Sequence, residues 1–128
     1  MREILFRGKR LDNGEWVTGY LEYFYSKAGT RKLHCFISVW GETLHTVDPA
    51  TVGQFTGLED KNGKRIFEGD VVRYGNRTGY VIFGNGCFCV QDSMTQNHPA
   101  IDIVMFQWDV TVIGNSHDNP ELLEGGQT

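Results

Sequence analysis

Five side chains have the chemistry to bind a metal ion: His34, Cys35, Cys87, Cys89 and His98. Zinc ligands usually come in closely spaced pairs such as CxxC, because a turn then brings both ligands to one ion. Cys87 and Cys89 are separated by one residue, and on a strand this places them about 6–7 Å apart at a rise of ~3.3 Å per residue. That distance is too long for easy chelation unless the strand bulges. Because Cys is also a common small core residue, we predict no metal site and no cofactor. Whether the five residues meet in space stays open.

Residues that could act in catalysis lack the setting that catalysis needs. A cysteine nucleophile would require one of the four histidines as its base, and none of them lies in a known catalytic signature. Residues 54–72, QFTGLEDKNGKRIFEGDVV, contain four carboxylates: Glu59, Asp60, Glu68 and Asp70. If their environments shifted two of their pKa values in opposite directions, one group could act as an acid and another as a base. They flank turns in a lysine-rich loop, where solvated charge is the rule. We therefore expect a protein that is not an enzyme.

A nucleic-acid interface has more support from residue types. Residues 69–83, GDVVRYGNRTGYVIF, have the pattern of a strand, a short basic loop and a second strand, which resembles the opening of small SH3-like barrels, including KOW-type modules. Cations suit phosphate contacts, and aromatic rings stack on bases. The candidate contacts with nucleic acid or another partner are Lys61, Lys64, Arg65, Arg73, Tyr74, Arg77 and Tyr80. SH3-like barrels bind proteins at least as readily, so nucleic acid is the alternative partner.

The charge balance argues against general binding to nucleic acid, since the net charge is −4. Residues 1–77 carry 12 basic and 10 acidic side chains, whereas residues 78–128 carry no basic and 6 acidic ones. Such asymmetry favours head-to-tail self-association if the two signs occupy different faces of the folded chain. If folding intersperses the two signs over the surface, the asymmetry in sequence does not favour self-association.

The elements that must position these residues are β-strands. Asn-Gly pairs at residues 13–14, 62–63 and 85–86 lie between apolar runs, and this pair is the strongest short-range hairpin signal because both turn residues need positive φ. The chain of 128 residues has 16 Gly, which fits many tight turns within one domain or a domain with a small appendage. We therefore predict an all-β fold of antiparallel hairpins.

Alternating apolar residues predict strands at 4–11, 15–25, 33–40, 70–74, 79–83 and 87–91, with 101–113 as the longest. In the second strand, Val17, Gly19, Leu21, Tyr23 and Tyr25 share one face, and Trp16, Thr18, Tyr20, Glu22 and Phe24 share the other. Asp48-Pro49 and Asn119-Pro120 predict single helical turns, since Asp and Asn cap helices and Pro suits the first helical position.

The sequence predicts a cytoplasmic protein without membrane contact. It has no run of about 18 apolar residues, and residues 1–10 are charged and lack the apolar centre of a signal peptide. Three cysteines make an odd number for disulfides, and reduced thiols fit a cytoplasm.

Three blocks stand out along the chain: REILFRGKRLDNGEW at residues 2–16, VGQFTGLEDKNGKRIFEGDVV at 52–72 and VIGNSHDNPELL at 112–123. In this order they resemble the YopX protein family, small proteins encoded by phages and prophages. The resemblance spans nearly the whole chain. It implies a mostly β protein with an SH3-like barrel in its C-terminal part, working in the cytoplasm of a host bacterium. It brings no catalytic residues with it.

Together these observations predict an N-terminal β region at 1–50 and an SH3-like barrel at 51–128, which could form one compact unit. The predicted function is that of a non-enzymatic phage or prophage accessory protein acting through protein–protein contacts. Self-association into a homo-oligomer is a hypothesis, because exposed strand edges carry unpaired backbone groups that template pairing. The alternative is a nucleic-acid-associated module of the KOW type. The identity of a protein partner is not predicted.

Overall fold

Antiparallel strands dominate the computed structural model, which describes residues 3–26, 33–39, 44–84, 86–92, 101–103 and 109–123. The strands are β1 (Phe6–Lys9), β2 (Trp16–Tyr25), β3 (Leu33–Ser38), β4 (Leu44–Val47), β5 (Gly53–Glu59), β6 (Arg65–Phe67), β7 (Asp70–Tyr74), β8 (Arg77–Gly84), β9 (Cys87–Asp92), β10 (Ile101–Asp102) and β11 (Val110–Asn115). Short 3₁₀ helices occupy Pro49–Thr51 and Pro120–Leu123.

The all-β prediction is confirmed, as are the helical turns at the two Pro positions. Among the described residues, no helix has the length and apolar character needed to cross a bilayer.

Two compact units divide the chain, Met1–Phe55 and Thr56–Thr128. In the first unit the hydrogen-bonded strand order is β4-β3-β2-β1-β5. β5 continues into the second unit, where its remaining residues lie beside β6. The second unit also contains a sheet of five strands in the order β10-β9-β8-β7-β11. The boundary between the units thus falls inside a strand.

The hairpin of β1 and β2 forms where the first Asn-Gly pair predicts it. Gly14 has a φ of 73°, in the left-handed region that Gly adopts without steric cost. The Gly14 N–H donates to the carbonyl of Arg10 over 3.0 Å, and the Asn13 side chain accepts from the Glu15 N–H over 3.0 Å. These local bonds fix the register of β1 against β2.

One face of the first sheet builds the core of the first unit. Its buried members are Cys35, Ile37 and Val47, with Phe6, Val17, Leu21, Leu33, Val39 and Val52 packed against them. Because side chains alternate across a strand, the residues between these positions belong to the opposite face. Gly19 is on the core side at a close approach of β2 and β3, where a Cβ atom would overlap the carbonyl of Ser38.

The core of the second unit is larger and forms on one face of the five-stranded sheet. Its buried members are Ile66, Val72, Tyr74, Val81, Val90, Ile103 and Val110, with Leu58, Phe88 and Val112 packed against them. The second Asn-Gly pair turns β5 into β6, and Gly63 has a φ of 81° in that turn. The Thr56 hydroxyl donates to the carbonyl of Ile66 over 2.8 Å, which ties the two strands together.

The SH3-like barrel predicted for residues 51–128 is not confirmed. β10 and β11 are the two edges of the five-stranded sheet, and in the described part of the chain no pairing joins them into a closed barrel. The motif at residues 69–83 does form the hairpin of β7 and β8. A hairpin is a local structure, whereas closure depends on the distant edges, and the motif carries no information about those edges.

The single strand predicted for residues 101–113 is wrong. Its beginning, β10, pairs with β9, and its end lies in β11, which pairs with β7. These strands are opposite edges of the sheet and therefore cannot be parts of one strand, and Asp109 lies in a turn. Residues 104–108, which carried much of the alternating pattern, lie outside the described residues.

Substitution of Gly19 tests the close approach of β2 and β3. We expect Gly19→Ala to lower the free energy of unfolding by about 1–3 kcal/mol, because the new methyl group has no room beside the Ser38 carbonyl. Gly84→Ala is the matched control, since a Cβ atom there would have no neighbour within 4 Å. Urea unfolding of both variants measures the difference, and equal stability of the two variants would contradict the assigned packing.

Candidate binding surface

Asp60 holds the charged loop, residues 59–65, in place from inside. Its buried carboxylate accepts hydrogen bonds of 2.9 Å from the backbone N–H groups of Asn62, Lys64 and Val112. The first two close the turn between β5 and β6, and the third joins that turn to β11. The Lys61 N–H also donates to a carbonyl of β11 over 3.1 Å. The loop is therefore anchored through the Asp60 carboxylate and through its own backbone.

The pKa of Asp60 reflects this anchoring. Burial by itself would raise the pKa of the carboxyl group, but the hydrogen bonds from Val112, Lys64 and Asn62 stabilise the charged form and lower the pKa below its usual value. The positive charge of Lys64 acts in the same direction. Asp60 is therefore charged at neutral pH and serves as an acceptor for the backbone.

Asp60→Asn removes the charge of the side chain and keeps its size, so it separates the effects of the two on stability. The amide oxygen can keep the hydrogen bonds to the turn, but the amide NH₂ group then faces the N–H of Val112, and two donors oppose each other. We expect a loss of about 2 kcal/mol in unfolding free energy at pH 7, measured by urea unfolding.

The same substitution has a predicted pH dependence. A carboxyl group whose folded pKa is lowered stabilises the fold above its unfolded pKa of about 3.9 and loses that effect as the pH falls through the folded pKa. The difference between wild type and Asp60→Asn should therefore shrink at pH 3. Asp48→Asn is the control with the same charge change, because Asp48 caps a 3₁₀ helix through a bond to Ala50 and Asn caps equally well. Equal losses for the two variants would contradict the role of Asp60.

The other carboxylates near the loop differ in burial and in role. Asp70 is buried, and its carboxylate accepts a hydrogen bond of 2.8 Å from the N–H of Phe67. Glu59 is exposed, and Glu68 is half-buried. The arrangement of Asp60 and Asp70 thus organises two turns of the backbone, which is a structural task.

The predicted contact residues of the second unit are spread over different surfaces. Lys61, Lys64 and Arg65 are exposed in the charged loop. Exposed Arg73 and half-buried Tyr80 share one face of the five-stranded sheet, since Tyr80 pairs with the residue two positions before Arg73. Their contact with a partner stays a prediction.

Tyr74 and Arg77 belong to the opposite face, where both bind Asp92. The Tyr74 hydroxyl donates to the Asp92 carboxylate over 2.9 Å, and the Arg77 guanidinium forms an ion pair with it at 2.7 Å. Tyr74 is only 8% exposed and belongs to the core, so its ring has no free face for a base. Burial, together with the charge of Asp92, raises the pKa of Tyr74 to about 12. The guanidinium charge that Arg77 would offer to a phosphate is paired with Asp92.

The candidate metal ligands are distributed over both units. Cys35 is part of the first core, and His34 stacks on Phe24 with ring centroids 4.9 Å apart. His98 lies outside the described residues. Within the described ranges, no group of three or more His, Cys, Asp or Glu side chains could hold a metal ion.

Cys87 and Cys89 are closer than the sequence argument allowed. Their sulfur atoms are 3.4 Å apart, because neighbouring side chains on one face of a strand can lean toward each other while the backbone keeps its spacing. Burial, followed by the hydrogen bond with Cys87 and the charges of Cys87 and Asp102, raises the pKa of Cys89 to about 11. The expected separation of about 6–7 Å, which follows from the rise along a strand, is therefore wrong for the sulfur atoms.

The face of the first sheet opposite its core is accessible, and we call it the open face. It consists of the alternate side chains of β1, β2 and β3 that lie opposite one another in the register: Arg7, Lys9, Trp16, Thr18, Tyr20, Glu22, Phe24, His34, Phe36 and Ser38. Each of them is exposed or half-buried. Two guanidinium nitrogens of Arg7 are buried, so the part of the open face available to a partner is the exposed row on β2, which consists of Thr18, Tyr20, Glu22 and Phe24.

Aromatic rings occupy the middle and one end of the open face. Tyr20 is 48% exposed and Phe24 is 52% exposed. The Phe24 ring stacks on His34 on one side and on Phe36 on the other, with centroids 4.9 Å and 5.7 Å away. These contacts hold Phe24 in a defined position, so the aromatic surface is preorganised for contact.

Charges of opposite sign lie on the open face beside the aromatic rings. Near the start of β2, the Arg7 guanidinium lies 4.8 Å and the Lys9 ammonium 5.9 Å from the centroid of the Trp16 ring. Such cation–π contacts fix both cations at that end of the face. Glu22 is exposed farther along the strand, between Tyr20 and Phe24. The open face thus has a cationic end, aromatic rings and a carboxylate.

The alternation of β2 identified the members of each face, but not which face is open. That choice depends on how β2 pairs with β1 and β3, which a single strand pattern does not contain. The stronger sequence signals were the cations of residues 61–77, which lie in the other unit.

The comparisons with known proteins agree with the fold. The sequence matches the YopX protein family over residues 5–124. The crystal structure of protein EF1440 from Enterococcus faecalis is similar, with a TM-score of 0.56 and 22% identity over 97% of this chain and 100% of that chain. At this identity the likeness shows the fold alone. A search of curated proteins gave no match.

Proposed function

The chain belongs to the YopX protein family, and we propose that it is a non-enzymatic phage or prophage accessory protein that acts in the bacterial cytoplasm through protein contacts of its open face. The first partner in this proposal is a second copy of the same chain. The observation that carries it is the exposed and preorganised aromatic surface formed by Tyr20, Phe24 and Phe36.

Exposed aromatic rings on a sheet favour a protein partner. Contiguous apolar patches are rare on monomeric proteins, and the cores of protein interfaces are enriched in aromatic residues and Arg. The open face combines exposed Tyr20 and Phe24 with Arg7 and Trp16 beside them. Burying such rings against another surface removes apolar area from water, which is the dominant favourable term in association.

The charge pattern favours a second copy as that partner. An interface with two-fold symmetry needs a surface that complements itself, so that residue i meets residue j and j meets i. Trp16, with its two cations, and Glu22 are separated along β2 by about 20 Å at ~3.3 Å per residue. A two-fold axis near Tyr20 places the carboxylate of each copy toward the cations of the other. It brings the two Tyr20 rings together and sets Phe24 of each copy toward Trp16 of the other.

Phe24→Ser tests the aromatic contact. We expect wild type to form a dimer or larger oligomer at tens of micromolar, measured by light scattering and sedimentation. The variant should weaken association by about tenfold or more in Kd, because a buried aromatic at an interface typically contributes more than about 1 kcal/mol. Phe83→Ser is the matched control, since Phe83 is 54% exposed and Phe24 is 52% exposed, but Phe83 lies in the second unit. A strictly monomeric wild type, or equal effects of the two variants, would refute the proposal.

Exchange of charges tests the two-fold arrangement. Glu22→Lys and Lys9→Glu should each weaken association, because each places like charges opposite one another in the pair of copies. The double variant restores opposite signs and should recover much of the affinity. Additive weakening in the double variant would rule out this pairing of charges.

Nucleic-acid binding remains the alternative proposal, and four exposed cations support it: Lys61, Lys64, Arg65 and Arg73. Against it stand the net charge of −4 and the pairing of Arg77 with Asp92. Titration with single-stranded DNA and RNA at low salt distinguishes the proposals. Binding that falls steeply with salt and is lost in Arg73→Ala with Arg77→Ala would support the alternative, and the absence of any binding would remove it.

A further inference from the structure

Asn-Gly pairs are reactive peptides as well as turn signals. The backbone nitrogen of the Gly can attack the side-chain carbonyl carbon of the Asn, because Gly has no side chain that blocks the approach. Two such pairs lie in turns that the structure describes, Asn13-Gly14 in the first turn and Asn62-Gly63 in the second. Asn85 of the third pair lies outside the described residues. The first and second turns can therefore be compared as sites of this reaction.

The backbone is alike at the attacking nitrogen of both turns. Gly14 has a φ of 73° and Gly63 a φ of 81°, and a Cβ atom at either position would have no neighbour within 4 Å. The Gly14 N–H donates to the Arg10 carbonyl over 3.0 Å, and the Gly63 N–H donates to the Asp60 carbonyl over 2.9 Å. A difference in reactivity must therefore come from the side chains of the two turns.

The side-chain amide of Asn13 is held in place by Glu15. Its oxygen accepts a hydrogen bond of 3.0 Å from the Glu15 N–H, and its nitrogen donates to the Glu15 carboxylate over 3.4 Å. Attack by the Gly14 nitrogen requires this amide to rotate and to break both bonds. Asn62 is exposed, and its bond to Asp60 is made by the backbone N–H, so rotation of the Asn62 amide leaves that bond intact.

The charges beside the two turns differ in sign. The attack creates negative charge, first on the deprotonated Gly nitrogen and then on the oxygen of the tetrahedral intermediate. Lys61 and Lys64 are exposed on either side of the second pair and stabilise such charge. The residues on either side of the first pair are acidic. Asp12 is paired with Arg10 at 2.6 Å, which leaves the Glu15 carboxylate to oppose the developing charge.

We propose that Asn62 is a self-modification site of this protein, where the Asn62-Gly63 peptide converts through a succinimide to isoaspartate and aspartate faster than the peptide at Asn13. The Gly63 nitrogen loses its proton to solvent and bonds to the side-chain carbonyl carbon of Asn62. The bond from that carbon to the amide nitrogen breaks, and ammonia leaves. A water molecule then opens the ring at either carbonyl. Ammonia is exchanged for water, and nothing is oxidised or reduced.

The modification acts on the turn that Asp60 anchors, and it does not depend on self-association through the open face. In isoaspartate the main chain runs through the former side chain, which lengthens the link between residues 62 and 63. The Lys64 N–H, which donates to the Asp60 carboxylate over 2.9 Å, is displaced by this change. The product also carries a new carboxylate close to the buried one of Asp60. We therefore expect the isoaspartate form to be less stable.

The test follows the full chain during incubation in mildly alkaline buffer. Peptide mapping by mass spectrometry measures how fast each Asn-Gly peptide changes from amide to acid. The peptide with Asn62 should react about fivefold or more faster than the one with Asn13, because a unit charge a few ångström away changes such a rate by about fivefold even in water. In urea the ratio of rates should fall, since unfolding releases the Asn13 amide from Glu15. Equal rates in the folded protein, or a ratio that urea leaves unchanged, would overturn the proposal.

Charge variants test the electrostatic cause. Lys64→Gln should slow the reaction at Asn62 by about two- to fivefold and leave Asn13 unchanged. The backbone N–H that donates to Asp60 is kept in this variant. Glu15→Gln is the matched variant of the first turn and should accelerate the reaction at Asn13 alone. An unchanged rate at Asn62 in Lys64→Gln would contradict the selection of this turn by its charges.

A measurement of stability tests the effect on the turn. Ion exchange separates the isoaspartate form, and its urea unfolding is compared with that of the unmodified protein and of Asn62→Asp. The variant carries the same new charge without the longer main chain. The isoaspartate form should unfold at the lowest urea concentration of the three. Equal stability of the isoaspartate form and Asn62→Asp would refute the displacement of the turn from Asp60.

Discussion

One buried carboxylate connects the most patterned stretch of the chain to the rest of its unit. Asp60 accepts backbone hydrogen bonds from the turn at residues 62–64 and from β11, which is separated from it by about fifty positions in sequence. Each N–H group that Asp60 satisfies would otherwise need water or another acceptor at a site where little water enters. The hairpin of β5 and β6, and the position of the edge strand β11, therefore depend on the same side chain.

This constraint changes the meaning of the charges in residues 54–72. Their density suggests a catalytic or nucleic-acid-binding loop, but the acidic groups at its two turns, Asp60 and Asp70, bind backbone N–H groups. The ion pair of Arg77 with Asp92 uses another of the cations in the same unit. A surface with exposed aromatic rings lies elsewhere, on the open face of the first sheet. The charged residues that support the backbone thus lie mainly in the second unit, whereas the proposed contact surface lies in the first unit. The proposed role in protein contacts follows from that surface.

Local features of the fold could be predicted from the sequence, whereas long-range features could not. Asn13-Gly14 and Asn62-Gly63 specify tight turns through backbone preferences, and both turns are present. The alternation of β2 sorts its side chains into two faces in the same way. Barrel closure and the path of residues 101–113 depend on which strands become edges, and this is decided by packing between distant segments. The alternating pattern of residues 101–113 includes parts of two different edge strands, since alternation does not specify which strand a residue joins.

The candidate sites show the same limit at the level of side chains. The positions of Cys87 and Cys89 were evident, but their sulfur distance depends on side-chain rotation that residue spacing does not describe. The residue type of Tyr74 suits stacking on a nucleic-acid base, but its hydroxyl donates to Asp92 inside the core. The open face became visible only when the register of β1, β2 and β3 placed rings from different strands together.

The central claim is that the protein's contacts with its partner are made by the open face. The most direct measurement is a series of amide NMR spectra recorded as the protein is concentrated from a dilute solution. Self-association through the open face predicts that shifts change progressively for the residues of β2 and β3 around Tyr20, Phe24 and Phe36, while amides of β8 and β9 stay constant. Concentration-dependent shifts confined to the charged loop and the β7–β8 hairpin, or spectra that do not change at any concentration, would contradict it.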